Sequence, residues 1–424
     1  MALHHNISKN HNSGRLIAAL DVGTSKVACL IGRVGDKGGL VVKGMGHRVS
    51  RGIKRGIIVD MDHASSAICA ALDQAEQVAG QTIGNVIVNL SAGSPKSHIL
   101  DTIIPLNGGG VQQSHIDRAL GQASERIDLG KNSLIHVFPA CYGIDGVLGV
   151  NEPIGMYGDN LSVTLHAVVA APGPLRNLET CVQRAHLDVS RVVLSPYASG
   201  LATLVEDEME LGAACIDMGG GTTTLSVFVR GRMVHAEVIP LGGDEITESI
   251  AAGLLTPISQ AERLKILNGC AYFTKSDEQE IIEIPKLGGS GNEDRTQIPR
   301  SVLTKAIEPH MTRLFETINA RFKACGFVGP QARRVVLTGG GSQLMGVQEF
   351  AEKVLEKKVR LGRPMDVNGL PEAAHAAPFA TLVGLLQYVV QAPLEAGEAR
   401  IPRYAAPPEE GKWSRLSHWL KENF

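Results

Sequence analysis

Residues 15–34 read RLIAALDVGTSKVACLIGRV. Two apolar, branched runs flank Asp21-Val-Gly-Thr-Ser, so a buried strand enters an Asp-x-Gly turn and a second strand leaves it. The pattern returns at 212–234, GAACIDMGGGTTTLSVFVRGRMV, and a third apolar run ends in glycines at 333–347, RRVVLTGGGSQLMGV. Backbone N–H groups in such turns converge on an anion, and glycine allows a close approach. The first turn offers Asp21, Gly23, Thr24, Ser25 and Lys26; the second offers Asp217, Gly219, Gly220, Gly221 and Thr222. Facing each other, they would grip a polyphosphate from both sides. Asp21 and Asp217 are tolerated beside phosphate only if a divalent cation such as Mg²⁺, or its waters, lies between. Gly339, Gly340, Gly341 and Ser342 form the third turn, whose bare backbone can pass flat against a base.

Helical periodicity separates these strands. DMDHASSAICAALDQAEQVAG (60–80) starts at Asp60 or Asp62 as N-cap and stops at Gly80; SVLTKAIEPHMTRLFETINARFKACG (301–326) stops at Gly326. Strands alternating with helices give an α/β architecture, and the likeness of the first two runs predicts two related lobes. LGGSGNEDRTQIP (287–299) reads as an exposed loop of the second lobe.

With 424 residues the chain exceeds what one core supports. It is 44% apolar with a formal net charge of −2, which gives no reason to expect nucleic acid as a partner. Seven scattered cysteines, none spaced as CxxC, disfavour a disulfide framework or zinc site and fit a reducing cytosol. Residues 1–14 lack the pattern of a secretory signal and read as a tail. No run approaches the roughly 18 to 20 apolar residues that cross a bilayer, so membrane contact is expected to be peripheral.

That contact is expected at the C-terminus. From Ala392 the chain becomes APLEAGEARIPRYAAPPEEG, a linker over 391–410. GKWSRLSHWLKENF (411–424) follows, with Trp413, Leu416, Trp419, Leu420 and Phe424 on one helical arc and Arg415 and Lys421 on its flanks and back. Lys412 falls on the apolar side at the frayed start, where its long side chain reaches back to water. Both tryptophans of the protein fall here, and indole rings favour the headgroup boundary. Anionic lipid is the expected surface, reached weakly by one tail and more firmly by linked tails.

The order of the three turns resembles that of the actin, Hsp70 and sugar-kinase superfamily, which implies ATP with Mg²⁺ held between two lobes. Within it AERLK (261–265) is similar to a ribose-contacting helix and assigns Glu262 and Lys265 to the nucleotide. Ser195, in LSPYASG, stands where the Hsp70 and MreB branches carry a water-orienting glutamate, and Thr224 where many members have a second aspartate. A serine is no general base near neutral pH, so slow hydrolysis and a switch-like use of nucleotide are expected.

GIKRGIIVDMDHASSAI (52–68), the stretch from Leu134 to Pro172 with NEPIGMYG (151–158), and IEPHMTRLFETI (307–318) narrow the resemblance to the FtsA family of cell-division proteins. The resemblance implies subdomain 1A over 15–88 and 167–200, an inserted 1C over 89–166, and 2A with 2B over 201–390. It also implies head-to-tail self-association into filaments through 1C, and binding of the FtsZ C-terminal peptide through 2B, on the helix expected over Ser301–Ala320. Other division proteins would be recruited at the septum, on the cytoplasmic face of the inner membrane. The alternatives are a pilus scaffold of the PilM family, against which the amphipathic terminus weighs, and a sugar or carboxylate kinase, which has no use for that terminus. An Hsp70-like chaperone needs a peptide-binding domain for which too little chain follows residue 390.

Overall fold

The computed structural model describes residues 14–391, apart from 36–38, 128, 286–294, 330–331 and 366. Residues 392–424, which include the expected linker apart from Gln391 and every residue proposed for the membrane, lie outside the described residues, as do 1–13.

Two five-stranded sheets repeat one plan. The first has the order Asp188–Leu194, Asn85–Leu90, Leu16–Val22, Lys26–Val34, Leu40–Val49. The second has the order Arg232–Ile239, Thr223–Val229, Ala213–Met218, Arg334–Thr338, Lys358–Leu361. In each, the strand that ends in the Asp-containing turn pairs antiparallel with its hairpin partner and parallel with the strand on its other side. The central strands are buried along their length, as expected of runs covered on both faces.

Helix Met61–Ala79 covers the first sheet. Asp60 is its cap: the carboxylate accepts from the amides of Asp62 and His63, and Gly80 ends the helix at φ 65°. Two helices, Ser195–Thr203 and Ala380–Gln391, meet between the sheets. They touch backbone to backbone, since a Cβ on Gly384 would lie 1.7 Å from the Ala198 carbonyl oxygen. Ala380–Gln391 was expected with the second lobe. Instead it packs against the strands of the first sheet, where Leu382, Leu385 and Leu386 share with Leu20, Leu30 and Leu90 a core that also takes in Cys215, Phe228 and Val336 of the second. Its sequence, ATLVGLLQYVVQ, is apolar on every side and so carries no record of which lobe it packs against.

The inserted segment forms its own sheet, ordered Lys96–Pro105, Asn160–Ala170, Ser133–Ile144, Val147–Val150, with helix Gln113–Glu125 against it. Strand Asn160–Ala170 belongs wholly to this sheet, and Asn89 to the first sheet, so the insert is displaced by a few residues from the expected 89–166. In the second lobe, the expected loop over 287–299 is in part a strand: Arg295–Pro299 pairs with Ile281–Pro285. The alternation Arg-Thr-Gln-Ile-Pro is too short and polar to announce a strand without its partner. Helix Arg300–Ala324 begins one residue before the predicted span, ends with Cys325 as C-cap just ahead of Gly326, and buries Leu303, Ile307, Met311, Leu314, Phe315, Ile318 and Phe322 along one stripe.

Two neutral histidines lock the insert to both lobes. His136 Nε2 accepts from the Leu194 amide at 3.0 Å and its ring stacks on Phe138. His166 places Nδ1 3.0 Å from the Met233 carbonyl and Nε2 2.9 Å from the Ser97 hydroxyl. Burial, with the Arg191 charge second, pushes His136 down to about 3; burial, with His235 second, pushes His166 down to about 4. A histidine depressed in the folded state binds its proton on unfolding, so stability is full above the ordinary pKa of 6.5 and drains as pH falls toward 4. Between pH 7 and 5 the pair should cost about 4 kcal/mol, of which Asp21, raised to about 6, returns about 1 kcal/mol. Urea unfolding at the two pH values should therefore show lower stability at pH 5; equal midpoints and slopes would contradict neutral, locked rings.

Candidate nucleotide-binding cleft

The three glycine turns open on one cleft of about 350 Å³ between the two sheets, within the range of small-ligand sites. The hairpin turns close alike: the Gly23 amide donates to the Lys26 carbonyl at 3.0 Å, and the Gly219 amide to the Thr222 carbonyl at 2.9 Å. Of the residues predicted from sequence, Asp21, Gly23, Thr24, Ser25, Lys26, Asp217, Gly219, Gly220, Gly221, Thr222, Glu262, Lys265, Gly339, Gly340 and Gly341 all line this cleft. Ser342 does not. It is buried, and its hydroxyl donates to the Gly339 carbonyl at 2.7 Å, so it holds the third turn in shape.

Asp21 is buried, with Lys26 Nζ 3.7 Å from its carboxylate. Burial pushes its carboxyl up to about 6; Lys26 opposes the rise and Asp217 adds to it. The Lys26 ammonium also donates to the Pro378 carbonyl and sits 4.9 Å over the Phe379 ring. Asp217 accepts hydroxyls from Ser199 and Thr381. Two carboxylates on opposite walls, together with the buried hydroxyl of Thr224 that has no partner, suit a hydrated Mg²⁺ carried in on phosphate. Among the described residues there is no group of three or more His, Cys, Asp or Glu side chains that could hold a metal ion.

Glu262 and Lys265 form an ion pair of 2.7 Å on helix Ile258–Asn268, and Lys265 also reaches the Gly243 carbonyl at 3.0 Å. They therefore act together at the rim. Gly242 and Gly243, which the sequence reading missed, seat the N-terminus of helix Gly243–Leu254 on the second turn, where a Cβ on Gly242 would stand 2.3 Å from the Gly220 carbonyl oxygen. The signal was present in LGGDEI, a glycine pair before an acidic first turn. Met311, Leu314 and Ile266 add an apolar wall that no local motif announces. Asn89, also missed, accepts the Val22 amide at 2.7 Å and donates to the Ser195 hydroxyl at 3.1 Å.

Two repeated sheets, crossing helices and a glycine-lined cleft define an actin-like protein. Solved structures agree: the chain is similar to one in a PilM–PilN type IV pilus biogenesis complex, with a TM-score of 0.63, 16% identity and coverage of 88% of this chain and 98% of that one. It is also similar to MreB5 of Spiroplasma citri bound to ADP, with a TM-score of 0.52, 12% identity and coverage of 88% and 96%. A family model described as cell division protein FtsA matches residues 214–384, and one for the SHS2 domain inserted in FtsA matches 92–169. Cell division protein FtsA of Rhizobium meliloti is 41% identical over 419 residues, 96% of this chain and 95% of the relative. Those of Pseudomonas aeruginosa and Escherichia coli K12 are 34% identical over 97% of this chain and 99% of the relative, and 31% identical over 97% and 98%. The chain belongs to the FtsA family of cell-division proteins.

Proposed function

We propose that this protein binds ATP with Mg²⁺ in the cleft, polymerises on the inner membrane at the septum, and tethers FtsZ filaments there while later division proteins are recruited. The observation that carries the reading is the convergence of three separate glycine turns on one cleft. Subdomain 1A is built on the first sheet, 1C is the insert, and 2A with 2B the second lobe. The amides of the first two turns and Lys26 take the phosphates, Glu262 and Lys265 the ribose, and Gly339 to Gly341 the base. The N-terminus of helix Gly243–Leu254 adds its positive dipole end beside the second turn. Bound Mg²⁺ neutralises phosphate charge; Asp21 and Asp217 hold its waters. Ser195, held by Asn89, faces the cleft without a carboxylate, so hydrolysis is slow and nucleotide serves assembly.

Filaments form through the insert, and the FtsZ C-terminal peptide docks on 2B near helix Arg300–Ala324. Residues 411–424 supply the membrane anchor, after the 391–410 linker. No helix among the described residues is long and apolar enough to cross a membrane, which is compatible with such an anchor. Reconstitution of the purified protein with ATP and FtsZ on anionic vesicles should give membrane-bound filaments and slow turnover. Failure to take up ATP at millimolar concentration, or fast ATPase activity without partners, would contradict the reading.

A further inference from the structure

One of the two cleft carboxylates is tethered from the opposite lobe. Asp217 sits near the end of second-lobe strand Ala213–Met218. Its Oδ2 lies 2.5 Å from the Ser199 hydroxyl and 2.9 Å from the Thr381 hydroxyl, and those hydroxyls lie 2.8 Å apart. Ser199 and Thr381 are buried and come from the two helices that meet between the sheets. Each hydroxyl has one hydrogen, so three contacts share two protons; however these are arranged, the carboxylate keeps at least one donor. Hydrogen bonds to an ionised carboxylate are stronger than those between neutral groups. On its other side, Oδ1 lies against the α-carbon of Gly339, where a Cβ would stand 2.2 Å away. The side chain is thus held on both sides, whereas Asp21 on the facing wall meets Lys26 at 3.7 Å.

We infer that Ser199 and Thr381 are positioning residues: they aim Asp217 at the hydrated cation of the bound nucleotide and tie that contact to the crossing helices, so that cation-loaded nucleotide fixes the angle between the lobes. The inference rests on ATP–Mg²⁺ occupying the cleft. It assigns to these hydroxyls the part that outer-shell partners play at metal sites, where they orient a ligand they do not replace. Gly384, which brings the two helices into backbone contact, is what lets both hydroxyls reach one oxygen.

The test is calorimetric titration of ATP into the full-length protein, with excess Mg²⁺ and with EDTA, for wild type, Thr381→Ser, and the double variant Ser199→Ala, Thr381→Val. Wild type and Thr381→Ser should show the same Mg²⁺-dependent gain in affinity, and the double variant should lose about 10- to 100-fold of it, while EDTA affinities agree within about twofold. A merely structural role would lower both affinities together, and that result overturns the inference. So does an undiminished gain in the double variant, or no gain in wild type. Thermal midpoints without nucleotide report folding; if the double variant is unfolded, Thr381→Val alone is judged by the same criterion. Wild type that binds no ATP in either buffer overturns the proposed function, and the inference with it.

Discussion

Gly339→Ala is expected to abolish measurable ATP binding and to destabilise the fold. At φ 83° and ψ 173° this residue occupies backbone space that is essentially glycine's own, and the strain of an alanine there is about 1–3 kcal/mol. The new methyl would also stand 2.2 Å from Asp217 Oδ1 and 2.7 Å from the backbone of Met218. Relief requires moving either a central strand or a carboxylate held by Ser199 and Thr381. Gly340→Ala is the companion measurement, since its Cβ would meet nothing within 4 Å and its φ is ordinary. Its unfolding midpoint should match wild type while ATP affinity falls, because only a base lying on the turn would meet that methyl. Unchanged ATP affinity in both variants would show that the third turn does not carry the base.

Removing residues 411–424 should eliminate sedimentation with anionic vesicles. The segment concentrates both tryptophans of the chain with Leu416, Leu420 and Phe424 on one arc and brings Lys412, Arg415 and Lys421 to the surface charge. Each basic residue contributes about 1 kcal/mol against anionic lipid, so binding of the intact protein should weaken steeply with salt. On the proposed reading, a helix this short would order only on the surface, which would make the attachment of one copy reversible and give polymerisation a physical role in holding it. Equal pelleting of the intact and shortened proteins would remove the anchor from the account, while leaving the cleft untouched.

Local sequence carried much of the cleft because its chemistry is local. A turn that presents its own amides or bare backbone to a cleft needs glycine at fixed offsets from a strand, and DVGTS, DMGGGT and TGGGS state that requirement within five or six residues. Buried strands next to such turns then read as α/β, and Asp60 and Gly80 mark a helix by the same short-range logic.

What the sequence could not express is which distant segments share a contact. Ser199 and Thr381 look like ordinary helix residues until helices 182 positions apart cross and aim both hydroxyls at one carboxylate. Asn89 is a strand residue whose amide group becomes meaningful only beside Val22 and Ser195. The apolar terminal helix took its lobe, and Arg295–Pro299 its strand state, from partners elsewhere in the chain. Sequence by itself determined most of the elements and the glycine turns of the cleft, since those depend on backbone freedom and periodicity within a few residues. Tertiary structure alone decided the alignment of the two lobes and the tethering of Asp217, since close packing brings hydroxyl, carboxylate and glycine together from segments that carry no local record of one another.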